Sequence, residues 1–219
     1  RYRADGSRRF VFNIAHSACG RLEKTQAATD LINECSHLHL MGSALAAPGM
    51  RDLALDALHT IKARGGSISF DPNLRRELLD APGLHEALQQ TLAHTDIFLP
   101  SGDELYLFTR AQNEEEAIAE LLARGIAEII LKRGAAGASH YSQAGRVDIA
   151  AHNVTETDPT GAGDSFGGAY IALRKNGADI TTALRYANAA GARAVTRVGP
   201  MEGTSSKAEL DALLAEGKR

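Results

Sequence analysis

The sequence has 219 residues, of which 44% are hydrophobic and 23% are charged, and this is enough for one well-buried core. A formal net charge of −3, no Trp and an aromatic content of 5% exclude the basic, base-stacking surface that nucleic-acid binding requires. The two cysteines show no metal-ligand spacing, and no apolar run reaches membrane-spanning length. We therefore expect a cytoplasmic protein with no nucleic-acid or membrane partner.

Short apolar strands alternate with amphipathic helices along the chain. The first element is a predicted β-hairpin over residues 1–14, with its turn at Asp5-Gly6. Strands are then predicted at 37–42, 67–71, 96–100 and 128–132, followed by two further short strands. Helices are predicted at 48–64, 83–94, 113–125, 163–176, 180–197 and 207–216. This alternation predicts an α/β fold, with a mostly parallel sheet flanked by helices on both faces.

Polar residues follow three of the predicted strands. In an open α/β sheet the ligand lies at the carboxyl ends of the strands, so we expect these residues to converge at one edge. They combine basic side chains, a carboxylate and several glycines, which together suit a nucleoside triphosphate with its magnesium ion. The residues are Asp71, Asn73 and Arg75 after the second strand, Ser101 to Glu104 after the third, and Lys132, Gly134 and Gly137 after the fourth.

The stretch TDPTGAGDSFGG at residues 157–168 is the densest glycine motif. A helix that begins near Gly163 would present the amides of Gly161, Ala162 and Gly163 at its N-terminus, where small residues let an anion approach the backbone. Asp164 would repel a phosphate there, unless it takes the proton of a hydroxyl that attacks the phosphoryl group. The other interpretation, in which Asp164 only caps the helix or favours its dipole, stays open at this point.

Other ligand-binding motifs fit less well. The glycines of GAGDSFG are spaced one residue too widely for a dinucleotide fingerprint, and a Walker A sequence is absent. His37 and His39 alternate on one strand face, but no further metal ligand follows at a usable spacing. The acidic run at 114–116 is typical of the solvated start of a helix.

Taken together, the motifs resemble those of a known family. FDPNLR, LPSGDE, LKRGAAG, TDPTGAGDSFGGAY and ANAAGARAVTRVG occur here in the order found in the ribokinase-like (PfkB) carbohydrate kinases. The resemblance covers nearly the whole chain after the hairpin, and it is greatest to the 2-keto-3-deoxygluconate kinase and ketohexose (fructose, tagatose) kinase branches. It implies a ribokinase-like fold and transfer of the γ-phosphoryl group of ATP to a hydroxyl of a sugar or keto-sugar acid.

The resemblance also implies roles for individual residues. Asp164 matches the catalytic base, and the amides of Gly161, Ala162 and Gly163 match the anion hole for the transferring phosphoryl group. Glu104 matches the glutamate that organises magnesium, through water. The positions that bind ATP are matched by Asn73, Arg75, Ser101, Lys132, Gly134, Gly137 and Asn188, and the site of a monovalent cation such as K⁺ is matched by Asp158 and Thr160.

The chain departs from the family pattern in two places. Ser101 stands where many members have Asn, so a water held by the hydroxyl would replace a direct nucleotide contact. The family's N-terminal part, with its glycine-rich sugar-binding signature, has no counterpart, so residues 1–14 are interpreted as a remnant of the lid hairpin and 15–219 as the nucleotide-binding α/β domain.

Two functions stay open on this basis. One is an ATP-dependent sugar kinase, and the other is a truncated, catalytically weak nucleotide- or sugar-binding protein of the same fold. The expected partners are ATP and a small-molecule sugar, with a homodimer left open.

Overall fold

The computed structural model describes residues 17–74, 78 and 80–216. The predicted lid hairpin (1–14) and the domain boundary behind it lie outside the described residues. The chain divides into two compact units, Arg1–Thr95 and Asp96–Arg219, and each is described by itself.

The described part of the first unit alternates helices with two parallel strands. Its elements are α1 (Gln26–Glu34), β1 (His37–Met41), α2 (Pro48–Ala63), β2 (Ser67–Asp71) and α3 (Leu84–Ala93). β1 and β2 pair over their whole lengths, from His37 opposite Ser67 to Met41 opposite Asp71. Pro48 begins α2, a position that suits proline because the first helical amide needs no intrahelical acceptor.

The described part of the second unit contains four strands and four helices. They are β3 (Ile97–Phe98), α4 (Glu114–Ala123), β4 (Glu128–Lys132), β5 (Ala138–Ser142), β6 (Gly145–Ile149), α5 (Ala162–Lys175), α6 (Ile180–Ala194) and α7 (Lys207–Glu216). β3 is parallel to β4, while β5 and β6 form an antiparallel hairpin beside β4. Ile129, Ile130 and Leu131 of β4 are all buried, as expected for a strand that is covered on both faces.

Helices α5 and α6 pack together over one face of this sheet. Tyr170 of α5 and Leu184 of α6 are completely buried, and they share one core cluster with Ile130 of β4. This packing holds the first turn of α5 and the inner face of α6 in place, and both contribute to the site described below.

The predicted α/β class, with mostly parallel strands flanked by helices, is confirmed. The third strand is shorter than predicted and pairs over only two residues. Helix α1 was not predicted, and none of its side chains is buried. Among the described residues, no helix is both long enough and apolar enough to cross a bilayer.

Candidate active site

The turn before α5 holds the glycine-rich motif in one backbone conformation. Gly161 is left-handed, with φ of 83°, and Ala162 is the first helical residue. A Cβ atom on Gly161 would collide with the carbonyl oxygen of Pro200, so only glycine fits at this position. The direction in which α5 begins therefore depends on Gly161.

The three amides of the predicted anion hole differ in their surroundings. The Ala162 amide donates a hydrogen bond to the Pro159 carbonyl oxygen (3.3 Å) within the turn, and its role toward an anion stays a prediction. The Gly163 amide lies in the first turn, where no intrahelical acceptor exists. Gly163 also lines the cavity described below, so its amide is the best-placed donor of the predicted three.

Lys132 lies beside this helix start. It is the last residue of β4, and an isolated parallel bridge joins it to Ser101. The Lys132 Nζ atom lies 3.7 Å from the point that a Cβ on Gly163 would occupy. An ammonium group and the positive end of a helix dipole thus lie side by side, an arrangement that favours a polyanionic ligand.

A cavity of about 520 Å³ opens at this point of the second unit. Its volume is typical of small-molecule sites. Seven of the predicted site residues line it, namely Ser101, Lys132, Gly134, Gly137, Ala162, Gly163 and Asn188. Much of the remaining wall is small and apolar, from Ala135, Ala151, Val154, Phe166, Gly191, Ala192 and Val195. The mixture of cationic, polar and apolar walls suits a ligand that has both a charged and an aromatic part.

The loop between β4 and β5 forms one wall of the cavity. Gly137 has φ of 94°, and a Cβ atom there would collide with the Ile149 carbonyl oxygen, so this close approach also requires glycine. Asn188 of α6 is buried and donates its Nδ2 hydrogen to the same carbonyl oxygen (3.4 Å). α6 is thus hydrogen-bonded to the end of β6, and the loop approaches the same oxygen atom closely.

The segment 151–156 lines the cavity and was missed by the sequence analysis. It carries no motif, and only its position directly after β6 marks it as part of the strand-end edge. His152 in this segment is half-buried. Burial lowers its pKa, and the positive charge of Arg185 lowers the pKa further, so the ring is neutral at pH 7.

Two predicted carboxylates lie off the cavity wall. Asp164 is exposed and follows Gly163 in the first turn of α5. Glu104 is half-buried, and its Oε2 atom accepts a hydrogen bond from the Ser101 amide (2.8 Å) at the start of the 3₁₀ turn Gly102–Phe108. Glu104 is therefore tied through Ser101 to the cavity edge.

The two residues predicted to hold a monovalent cation stabilise the turn before α5. Asp158 is buried, and its Oδ1 atom accepts hydrogen bonds from the Thr160 amide (3.0 Å) and the Thr160 hydroxyl (2.7 Å). Its Oδ2 atom accepts from the Gly199 amide (3.0 Å). The carboxylate thus joins the turn to the segment that follows α6.

The remaining predicted residues lie in the first unit. Asn73 follows β2 in a left-handed conformation (φ 37°), and its amide donates to the Asp71 carboxylate (3.2 Å). Arg75 lies outside the described residues. His37 and His39 contact serine hydroxyls, and no group of three or more His, Cys, Asp or Glu among the described residues is arranged to hold a metal ion.

Comparison with known proteins gives a consistent result. The family model of the pfkB family carbohydrate kinases matches residues 2–207. A fructokinase from Vibrio alginolyticus is 30% identical over 214 residues, which are 94% of this chain and 68% of that protein. A protein of Arabidopsis thaliana named probable fructokinase-4 is also 30% identical, over 97% of this chain and 68% of its own length. The chain thus spans about two thirds of the length of these relatives.

Solved structures lead to the same family. An E. coli protein described as a ribokinase II, in complex with ATP and Mg²⁺, is 46% identical with a TM-score of 0.90, over 96% of this chain and 68% of that one. A double-mutant fructokinase from Vibrio cholerae, bound to fructose, ADP and a potassium ion, is 30% identical with a TM-score of 0.75, over 81% of this chain and 60% of that one. The chain therefore belongs to the PfkB family of carbohydrate kinases, which are phosphotransferases with a sugar hydroxyl as acceptor.

Proposed function

We propose that this protein is an ATP-dependent sugar kinase that binds its nucleotide in the cavity of the second unit and uses Asp164 as the base. The observation that carries the proposal is the position of the Lys132 ammonium group next to the Gly163 backbone, at the N-terminus of α5. A cation and an unengaged helix amide at one edge of a nucleotide-sized cavity are suited to hold phosphates. The E. coli relative bound to ATP supports the choice of nucleotide.

In this proposal each group of the site has its own role in phosphoryl transfer. Lys132 and the Gly163 amide hold the terminal phosphates and stabilise the charge that develops on the transferring group. Asp164, one residue further along α5, accepts the proton of the attacking hydroxyl. Gly134, Gly137, Asn188 and Ser101 line the nucleotide. The ATP-binding roles of Asn73 and Arg75 stay predictions from the sequence.

Magnesium is proposed to be held mainly by the nucleotide. This ion commonly takes one or two protein carboxylates together with substrate phosphates, so a cage of several acidic residues is not required. Glu104 fits this pattern because it is a single carboxylate, fixed by the Ser101 amide at the cavity edge. The ion would neutralise phosphate charge during the reaction.

Asp158 and Thr160 are proposed to hold a monovalent cation such as K⁺, and the presence of a potassium ion in the Vibrio cholerae fructokinase structure supports the choice of ion. Carboxylate and hydroxyl oxygens suit such an ion chemically. In this structure the Asp158 carboxylate and the Thr160 hydroxyl are joined by a hydrogen bond, so the two oxygen ligands lie next to each other.

A ketohexose is proposed as the acceptor sugar, because the similar proteins include several that are named as fructokinases. The assay is therefore a panel of fructose, tagatose, 2-keto-3-deoxygluconate and ribose, with ADP release as the signal. The alternative function, nucleotide or sugar binding without turnover, predicts saturable binding of ATP and no ADP release with any of these sugars.

The decisive variant is Asp164→Asn. If Asp164 is the base, turnover falls by roughly two to four orders of magnitude, while ATP affinity stays within a few-fold of the parent. Steady-state kinetics and calorimetric titration with ATP measure the two quantities separately.

Asp52→Asn is the control for this variant. Asp52 is an exposed carboxylate of α2, outside the predicted site residues, so its substitution removes the same charge without removing the base, and we expect turnover within about twofold of the parent. A parallel loss of ATP binding and turnover in Asp164→Asn would leave Asp164 with a structural role and contradict the proposal.

A further inference from the structure

Arg133 stands between two parts of the cavity wall but points away from the ligand space. Its neighbours in sequence, Lys132 and Gly134, both line the cavity, whereas Arg133 does not. Its guanidinium group donates to the Glu114 carboxylate through two nitrogens (2.9 and 2.6 Å). Arg133 thus anchors the loop after β4 to the first residue of α4.

Glu114 differs from the solvated helix start that the sequence predicted. Besides the two bonds from Arg133, its carboxylate accepts a short hydrogen bond from the hydroxyl of Tyr141 on β5. The side chains of Glu114 and Arg133 are each about 30% exposed. The hydrogen bond from Arg133 lowers the pKa of Glu114, burial opposes that shift, and the Tyr141 hydroxyl adds to it. The carboxylate is therefore ionised and held at neutral pH.

The same arginine also holds the loop by its backbone. The Arg133 amide donates to the Gly137 carbonyl oxygen (2.9 Å), and its carbonyl oxygen accepts from the Ala136 amide (3.1 Å). Its Nε atom donates to the Ser139 hydroxyl (2.9 Å). Hydrogen bonds of Arg133 thus hold the loop over residues 134–137 on the side away from the cavity, while Gly134, Ala135 and Gly137 line the cavity.

We propose that Arg133, Glu114 and Tyr141 form a clamp of positioning residues that sets the loop 134–137 in its nucleotide-binding conformation. The inference rests on the proposed nucleotide site. A loop fixed before the ligand arrives does not lose conformational freedom on binding, so the clamp strengthens ATP binding without contacting ATP. Because the acceptor sugar and the base do not contact the clamp in this proposal, its loss affects the nucleotide step alone.

The second unit contains a chemically matched set of residues away from the cavity wall. Arg174 pairs with Glu128 (2.5 Å), and the Tyr170 hydroxyl donates to the same carboxylate (2.5 Å). His140 Nε2 lies 3.7 Å from the same carboxylate, and none of these four residues lines the cavity. Glu128, Arg174 and Tyr170 match Glu114, Arg133 and Tyr141 in residue type and in hydrogen bonding, so the second cluster is an internal control for loss of stability.

The experiment compares Glu114→Gln with Glu128→Gln in the same protein. We expect both variants to lower the melting temperature, and only Glu114→Gln to raise the KM for ATP, by roughly tenfold. The kcat at saturating ATP and the KM for the sugar stay within about twofold of the parent in Glu114→Gln. Equal KM values for ATP in the two variants would overturn the proposal and leave the clamp as a stabilising ion pair.

Tyr141→Phe and Tyr170→Phe repeat the comparison with smaller changes, in case a glutamine variant does not fold. Each removes one hydroxyl donor, and we expect a rise of about threefold in the KM for ATP for Tyr141→Phe and none for Tyr170→Phe. Absence of a rise in the KM for ATP in Tyr141→Phe contradicts the clamp.

Calorimetry with ATP on the unchanged protein separates this inference from the proposed function. If the cavity does not bind nucleotide, the parent shows no ATP binding. If only the clamp is wrong, the parent still binds ATP.

Discussion

At the start of α5, two neighbouring glycines are required for different reasons. Gly161 is needed for the fold, because its backbone is left-handed and a Cβ would collide with Pro200. Gly163 has ordinary helical geometry, and a Cβ there would meet only the Lys132 Nζ at 3.7 Å, a normal contact distance. A side chain at Gly163 is therefore compatible with the fold and obstructs only a ligand.

Gly163→Val tests this difference directly. We expect the affinity for ATP and ADP to fall by roughly tenfold or more, because the branched side chain occupies the space next to the phosphate-binding amide. The affinity for adenosine, which has no phosphate, stays within a few-fold. Calorimetric titrations with the three ligands measure the effect.

Gly168→Val provides the matched control for that prediction. Gly168 lies in the same helix, and a Cβ there would meet no atom within 4 Å. Both substitutions introduce a β-branched residue into the helix, with a similar cost in helix stability, but only Gly163→Val obstructs the space next to the phosphate-binding amide. If Gly163→Val lowers the affinities for adenosine and ATP equally, the N-terminus of α5 does not bind the phosphates.

Among the elements, α4 illustrates how far local sequence specifies a helix. Asn113 was predicted to begin it, and the Asn113 Oδ1 atom accepts a hydrogen bond from the Glu116 amide (2.9 Å). The Glu116 carboxylate accepts a hydrogen bond from the Gln112 amide (3.1 Å), whereas a capping box would use the Asn113 amide. The predicted helix start is thus confirmed, and the partners of Glu114 were not predicted because they lie on other elements.

Asn113→Ala is expected to lower the free energy of unfolding by about 1 kcal/mol, because an amide at the start of α4 loses its acceptor. Denaturant titration measures the change. Asn113→Asp retains an acceptor oxygen at the same place and should stay close to the parent. If Asn113→Asp lowers the free energy of unfolding as much as Asn113→Ala does, the side chain does not stabilise α4 by capping.

For the whole molecule, acid stability is expected to depend strongly on Glu128. Burial acts to raise the pKa of this carboxyl, but His140, Arg174 and Tyr170 outweigh burial and lower the pKa from 4.5 to about 2. The ionised form is therefore favoured by folding. Its contribution to stability is complete above about pH 4.5 and is lost as the pH falls toward 2, by about 3 kcal/mol at most.

Glu128→Gln should flatten the dependence of unfolding free energy on pH between about 4.5 and 2, while lowering stability at neutral pH. Urea titrations at several pH values measure this slope. Asp211→Asn is the control, since Asp211 pairs with Lys207 at the exposed surface, where solvent screens the interaction. An unchanged slope in Glu128→Gln would contradict the assigned pKa.

The sequence alone was sufficient for the α/β class, the family, the glycine motif before α5 and the order of the strands and helices other than α1. The class and the order of elements depend on local properties, namely hydrophobic periodicity and helix capping, and the family depends on motifs in a characteristic order. Gly161 belongs with them, because the conformation it adopts favours glycine whatever surrounds it.

Only the tertiary structure decided which groups meet. The approach of Lys132 to Gly163 and the pairing of Arg133 with Glu114, nineteen residues away, depend on how α5 and α4 pack beside β4. The place of residues 151–156 in the cavity wall likewise depends on packing, because this segment carries no motif. Contacts between residues distant in the chain arise from packing, and a local pattern of residue types does not encode them.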